Sequence, residues 1–151
     1  MSRTDRASRL IKAAPEKIYA ALTRAEAIAT WRAPSGMRGV MHAFDPRPGG
    51  VYRMSLIYED ESIAGKSGDN EDAFEGRFVE LVPDKRVVEA VVFTSDDPAF
   101  AGEMTITTEL QSAPGGTEVM IACSNVPSGI SASDHQEGLN SSLANLAAYV
   151  E

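Results

Sequence analysis

One cysteine, one tryptophan and two histidines are all that this chain of 151 residues contains of those types. The lone Cys123 cannot close an internal disulfide, so nothing points to an oxidising compartment. Long apolar runs are missing too. No stretch approaches the ~20 residues a membrane span needs. The opening MSRTDRASRL is charged and lacks the apolar run of a signal peptide. The expectation is a cytoplasmic protein with no membrane insertion. Basic residues are scarce as well: 14 Lys and Arg stand against 22 Asp and Glu, a formal net charge of −8. Without clustered cations to neutralise phosphates, nucleic acid is not expected as a partner.

Catalytic signatures are equally thin. The chain has no HExxH or CxxC spacing and no Gly-x-Ser-x-Gly elbow. Two acidic stretches, 59–72 and 94–103, read as solvated loops. The first fails the calcium-loop pattern, because positions 69, 71 and 73 are Asp, Glu and Ala. Asp134 and His135 are adjacent, but they fall at a helix start, where capping accounts for Asp134. Cys123 alternates with Val119 and Ile121 and reads as a small buried hydrophobe. His42 alternates with Val40 and Phe44 and reads as a partly buried core histidine. No catalytic residue, metal ligand or cofactor is therefore expected.

What the sequence does contain is periodicity. Its length fits one domain, residues 1–151. SRLIK (8–12) is extended in character. Pro15 suits a first helical position, with Ile18, Ala21 and Leu22 on one face. A second short helix covers 25–31 and stops before Pro34. Strands follow at 39–45, 51–59, 73–82, 86–93, 102–110 and 117–124, joined by turn sequences. In 51–59, Tyr52, Met54, Leu56 and Tyr58 share one phase, and Arg53, Ser55 and Glu59 share the other, wet one. Phe74, Gly76 and Phe78 share a face in the next strand. Met104, Ile106, Thr108 and Leu110 do so later. Leu139, Leu143, Leu146 and Val150 recur at four, three and four, the stripe of a long closing helix. Ser133 with Gln136 fits a capping box. From Ser133 the helix would run about 27 Å at 1.5 Å per residue. The class is α+β: a strand, two short helices, six further strands and one long helix, in a bent antiparallel sheet wrapping that helix.

The motifs resemble the START-like (SRPBCC) superfamily with its helix-grip fold, and within it the family named for the activator of heat-shock-protein ATPase. APEKIYAALT with Trp31 and Pro34 is similar to the family's first helix pair. DPRPGGVYRM is similar to its Asp-x-Arg-x-Gly-Gly strand start, and EGRFVELVPDKRVV to its Gly-x-aromatic-x-Glu hairpin. GGTEVMI and EGLNSSLANLAAYVE are similar to its last strand and helix. The family commonly has Trp where this chain has Leu139. ATPase activation does not follow from the family name, since the eukaryotic co-chaperones carry a further N-terminal domain. The resemblance implies a cavity between the sheet and the last helix.

The apolar inner set comprises Trp31, Phe44, Tyr52, Met54, Leu56, Tyr58, Phe74, Phe78, Phe93 and Met104, roofed by Leu139 and Leu143. Two arrangements are open for it: a solid core, or the lining of a ligand cavity. Tyr and Met among the Phe residues, and Gln136, Asn140 and Ser142 beside the Leu stripe, favour the cavity. The expected partner is then an apolar or aromatic small molecule. A polyketide cyclase or aromatase-type enzyme is the alternative, and a stress or co-chaperone interaction module a third. A face of Ser141, Ala147 and Ala148 offers a route to a homodimer.

Overall fold

The computed structural model describes residues 3–33, 36–60, 62–63 and 70–151. Residues 1–2, Pro34 and Asp69, used in the readings above, lie outside the described residues. The elements run β1 (Thr4–Ile11), α1 (Pro15–Leu22), α2 (Ala25–Trp31), β2 (Met37–Ala43), β3 (Val51–Tyr58), β4 (Glu71–Val82), β5 (Arg86–Phe93), β6 (Glu103–Ala113), β7 (Gly116–Ser124) and α3 (Ala132–Val150), with a 3-10 turn at Pro98–Phe100. This is the expected order. The strands form one seven-stranded sheet in the order β1-β7-β6-β5-β4-β3-β2. Every pair is antiparallel. The sheet curls into a half-barrel around α3. Sequential strands are neighbours from β2 to β7, with tight turns joining β4 to β5 and β6 to β7. The exception is β1, which pairs with the last strand, Thr4 opposite Ser124 and Ile11 opposite Thr117.

Burial follows the two periodicities. Leu139, Leu143, Leu146 and Val150 of α3 are all buried, together with Tyr52, Met54, Phe74, Phe78, Val91, Met104, Val119 and Ile121 from the sheet. Helix phase and strand phase therefore meet in one core. The 19 residues of α3 span about 28 Å.

Four local expectations are corrected. β1 begins at Thr4 rather than Ser8, because β7 offers a pairing edge along its whole length. β2 covers 37–43 rather than 39–45, and it is bulged: Met41 pairs with Met54 but Ala43 with Arg53. The extra residue breaks the shared phase of Val40, His42 and Phe44. Met41 and Phe44 pack on the core, whereas His42 is exposed. His42 Nε2 lies 2.9 Å from Ser55 Oγ, and Ser55 is buried, so the second face of β3 is not uniformly wet. Finally, α3 is capped by Ser131, whose Oγ accepts from the Asp134 N–H at 3.1 Å. The Ser133–Gln136 box does not form. Gln136 Nε2 instead donates to Asn140 Oδ1 at 3.4 Å on an exposed face.

Gly76 is required by close approach. It pairs with Tyr52 across β3 and β4, and a Cβ there would lie 2.2–2.5 Å from the Tyr52 ring and hydroxyl. The ring lies over bare backbone. Gly76→Ala is expected to displace Tyr52 and to lower stability by about 1–3 kcal/mol, as overpacking does; urea denaturation measures it.

Candidate functional site: a half-empty grip

Beneath the first half of α3 lies a cavity of about 620 Å³. The inner faces of β3 to β7 form its floor with Leu56, Phe74, Phe93, Met104 and Ile121; Leu139 and Ser142 of α3 roof it, and Trp31 and Arg32 wall it. Asp134 and Glu137 also line it and are exposed, which places the opening along the first turns of α3. Seven of the twelve residues singled out from sequence line this space: Trp31, Leu56, Tyr58, Phe74, Phe93, Met104 and Leu139. The other five, Phe44, Tyr52, Met54, Phe78 and Leu143, do not. Four of these, Phe44, Tyr52, Met54 and Phe78, pack in the adjoining half of the same inner face. Phe44 meets Phe78 edge-on at 5.8 Å between centroids, and Tyr52 lies 5.3 Å from Phe78. Solid core and open cavity thus coexist on one inner face. Ser142 lines the cavity, whereas Gln136 and Asn140 face outward. Ala147 is buried in the core, so it is not part of a free second face.

Trp31 is a buried wall of the cavity, 1% exposed. Its Nε1–H donates to the Ala21 carbonyl at 2.8 Å, which fixes α2 against α1.

The largest omission of the sequence reading is ionic. Glu89, in the apolar run RVVEAVVF, points inward and is 1% exposed. Arg32, just past α2, meets it bidentately, Nη1 to Oε1 at 2.9 Å and Nη2 to Oε2 at 3.1 Å. Tyr52 donates its hydroxyl to Oε1 at 2.6 Å and accepts from Arg32 Nη1 at 3.1 Å. The guanidinium also sits 5.0 Å from the Trp31 ring centroid, a cation–π contact. Burial works to lower the Arg32 pKa, but the Glu89 carboxylate and Tyr52 outweigh it and raise it. Burial, then the neighbouring Glu89 charge, holds the Tyr52 hydroxyl well above its ordinary pKa, so Tyr52 remains a donor. A lone carboxylate in a β-branched run is the signal that could have found this cluster, since a buried charge requires a partner.

Two α3 side chains close the same corner. Ser142 Oγ donates to the Arg32 carbonyl at 3.1 Å and Asn145 Nδ2 to the Ala33 carbonyl at 2.8 Å. They satisfy carbonyls left open where α2 ends. At the cavity opening, His135 Nδ1 donates to Asp5 Oδ2 at 2.7 Å and Arg3 Nη2 to the same oxygen at 3.1 Å. Burial pushes the Asp5 carboxyl up, but these hydrogen bonds outweigh it and hold its pKa below the ordinary value. Tyr58, beside Asp72 at 3.3 Å, is raised by burial first and by that carboxylate second. Cys123 is buried and its thiol is pushed up to about 12, chiefly by burial, which leaves it unreactive. Among the described residues no group of three His, Cys, Asp or Glu side chains could hold a metal, and no helix is long and apolar enough to cross a membrane.

A curled antiparallel sheet gripping a C-terminal helix, with two short helices after the first strand, defines a START-like domain of helix-grip architecture. The profile of the family described as Activator of Hsp90 ATPase homolog 1-like protein matches residues 12–151, and the chain belongs to that family. It is similar to a crystal structure of a Chromobacterium violaceum protein at 33% identity, covering 98% of this chain and 96% of that one, with a TM-score of 0.87. An AHSA1-like protein from Aeromonas hydrophila shares the fold at 21% identity, covering 98% and 92%, with a TM-score of 0.73. No curated protein matches the chain.

Two outcomes are expected at these clusters. Glu89→Gln leaves Arg32 buried without a counter-charge and should cost about 3–5 kcal/mol. The double variant Arg32→Met with Glu89→Leu should recover most of that loss, both read by urea denaturation. For Asp5, a folded pKa below the unfolded value means stability that is present above the unfolded pKa and is lost as pH falls through the folded one. Asp5→Asn should therefore unfold at lower temperature than the parent at pH 6, and the gap should close as pH drops below the ordinary value of 3.8, as followed by thermal melts across pH 2–7.

Proposed function

We propose that the chain binds an apolar or aromatic small molecule in the cavity between the sheet and α3. The observation that carries this reading is the unfilled volume itself. About 620 Å³ lies open inside a domain whose adjoining half is tightly packed, and it falls within the ~300–1,000 Å³ of small-molecule sites. Trp31, Leu56, Tyr58, Phe74, Phe93, Met104 and Leu139 are the proposed contacts. The cyclase-type reading asks for polar groups turned toward a substrate. Arg32, Glu89 and Tyr52 do converge, but they consume one another's hydrogen bonds, and of the three only Arg32 lines the cavity. The Tyr and His on the lining, Tyr58 and His135, are likewise engaged, by Asp72 and Asp5, so binding without chemistry is the reading that the geometry supports best.

Leu139→Trp tests it. If Leu139 roofs an open space, the larger ring fills it: stability should change by less than about 1 kcal/mol, against the 1–3 kcal/mol of an overpacked core. Calorimetric titration with naphthalene derivatives should show binding to the parent and at least tenfold weaker binding to the variant. In the parent, Trp31 fluorescence should change on titration. A large stability loss with undiminished affinity would overturn the assignment.

A further inference from the structure

Thr108 stands in the middle of β6, paired with Val87 on β5 and Ile121 on β7. It is 1% exposed and forms part of the cavity wall. Among the described residues its Oγ1 is one of two buried side-chain polar atoms with no hydrogen-bond partner. Its companions on the inner face of β6, Met104, Ile106 and Leu110, are all apolar. A buried hydroxyl without a partner destabilises the fold. Val would occupy the same shape, suits a strand at least as well, and carries no hydroxyl. The position is therefore anomalous as core but reasonable as a binding residue. Rotation about χ1 carries the γ-oxygen to another staggered position without moving the backbone.

The electrical setting narrows the partner. Arg32, the one Lys or Arg among the described lining residues, is already matched bidentately by Glu89, and His135 is engaged by Asp5, so neither supplies an uncompensated charge for a ligand anion. Asp134 and Glu137 at the opening add negative charge. Burying a carboxylate here would leave it without a counter-ion. An uncharged oxygen meets no such penalty.

We propose that the ligand carries an uncharged oxygen, a hydroxyl or a carbonyl, on its apolar or aromatic body, and that this oxygen completes the hydrogen bonding of Thr108. Thr108 is then the residue that selects oxygenated ligands over hydrocarbons and acids. The inference rests on the binding reading above and adds the chemistry of the ligand.

The test uses naphthalene, 2-naphthol, 2-acetonaphthone and 2-naphthoate as probes, titrated calorimetrically into the parent, Thr108→Val and Thr108→Ser. The parent should bind the naphthol and the ketone about tenfold more tightly than naphthalene, the scale of one hydrogen bond, and the naphthoate more weakly than either. Thr108→Val should keep the naphthalene affinity and lose the preference, while its urea midpoint rises. Thr108→Ser should keep the preference. If Thr108→Val retains the preference, or if the naphthoate binds as tightly as the naphthol, the assignment is overturned while the binding reading stands. If the parent binds none of the four probes, the binding reading itself falls, and this one with it.

Discussion

The salt bridge between Arg32 and Glu89 is the constraint around which the rest is arranged. It joins the end of α2 to the middle of β5, and through Tyr52 it reaches β3. Two charges removed from water are stable only if each is fully matched. Several features follow from that demand. Tyr52 must lie flat enough to hand its hydroxyl to Glu89, and Gly76 leaves the room for it. Trp31 stacks against the guanidinium while its own N–H is held by α1. The Arg32 carbonyl is taken by Ser142 of α3, so the cluster fixes the helix as well as the sheet.

The same cluster divides the inner face. On one side Phe44, Tyr52, Met54 and Phe78 fill the curve of the sheet. On the other, Phe74, Phe93, Met104 and Ile121 face the early turns of α3 across a space that stays open. A cavity within a close-packed interior forfeits dispersion contacts. Its walls persist because strand pairing beneath and the tethers of α3 at Arg32 and Ala33 hold them apart. The small and amide side chains flanking the Leu stripe have a definite use here: Ser142 and Asn145 serve the backbone of α2, where Lys or Glu could not lie so close.

Alternation and helical spacing carried the architecture, since they report which face of an element meets the core. They placed the inner residues of β3, β4 and β6 and the stripe of α3 where the structure has them. The bulge at His42 was not legible, because one inserted residue reverses the phase without leaving a compositional mark. The extra length of β1 was hidden for a different reason: its strand character comes from β7, more than a hundred positions away in the chain. The cap moved from Ser133 to Ser131 because several serines compete for one geometry. At the site, residue type separated inner from outer positions but not packed from open ones. Tyr52 and Tyr58 share a phase, yet one is sealed by Glu89 and the other faces the cavity. Arg32 and Glu89 were not legible as a site, because what permits their burial is a partner 57 positions away in the chain. Thr108 was placed by its phase, but its missing partner shows only in three dimensions.

The pairing of the first strand with the last bears on how the domain is made. β2 to β7 can zip together in sequence, each beside the strand before it. β1 has nothing to pair with until β7 exists, and α3 packs against it only afterwards. Closing so long a loop is slow compared with forming a hairpin. During synthesis the β1 edge therefore stays unpaired until β7 emerges, and the apolar groove stays uncovered until α3 does. The roof that α3 gives the cavity is thus the part of its wall that comes last along the chain.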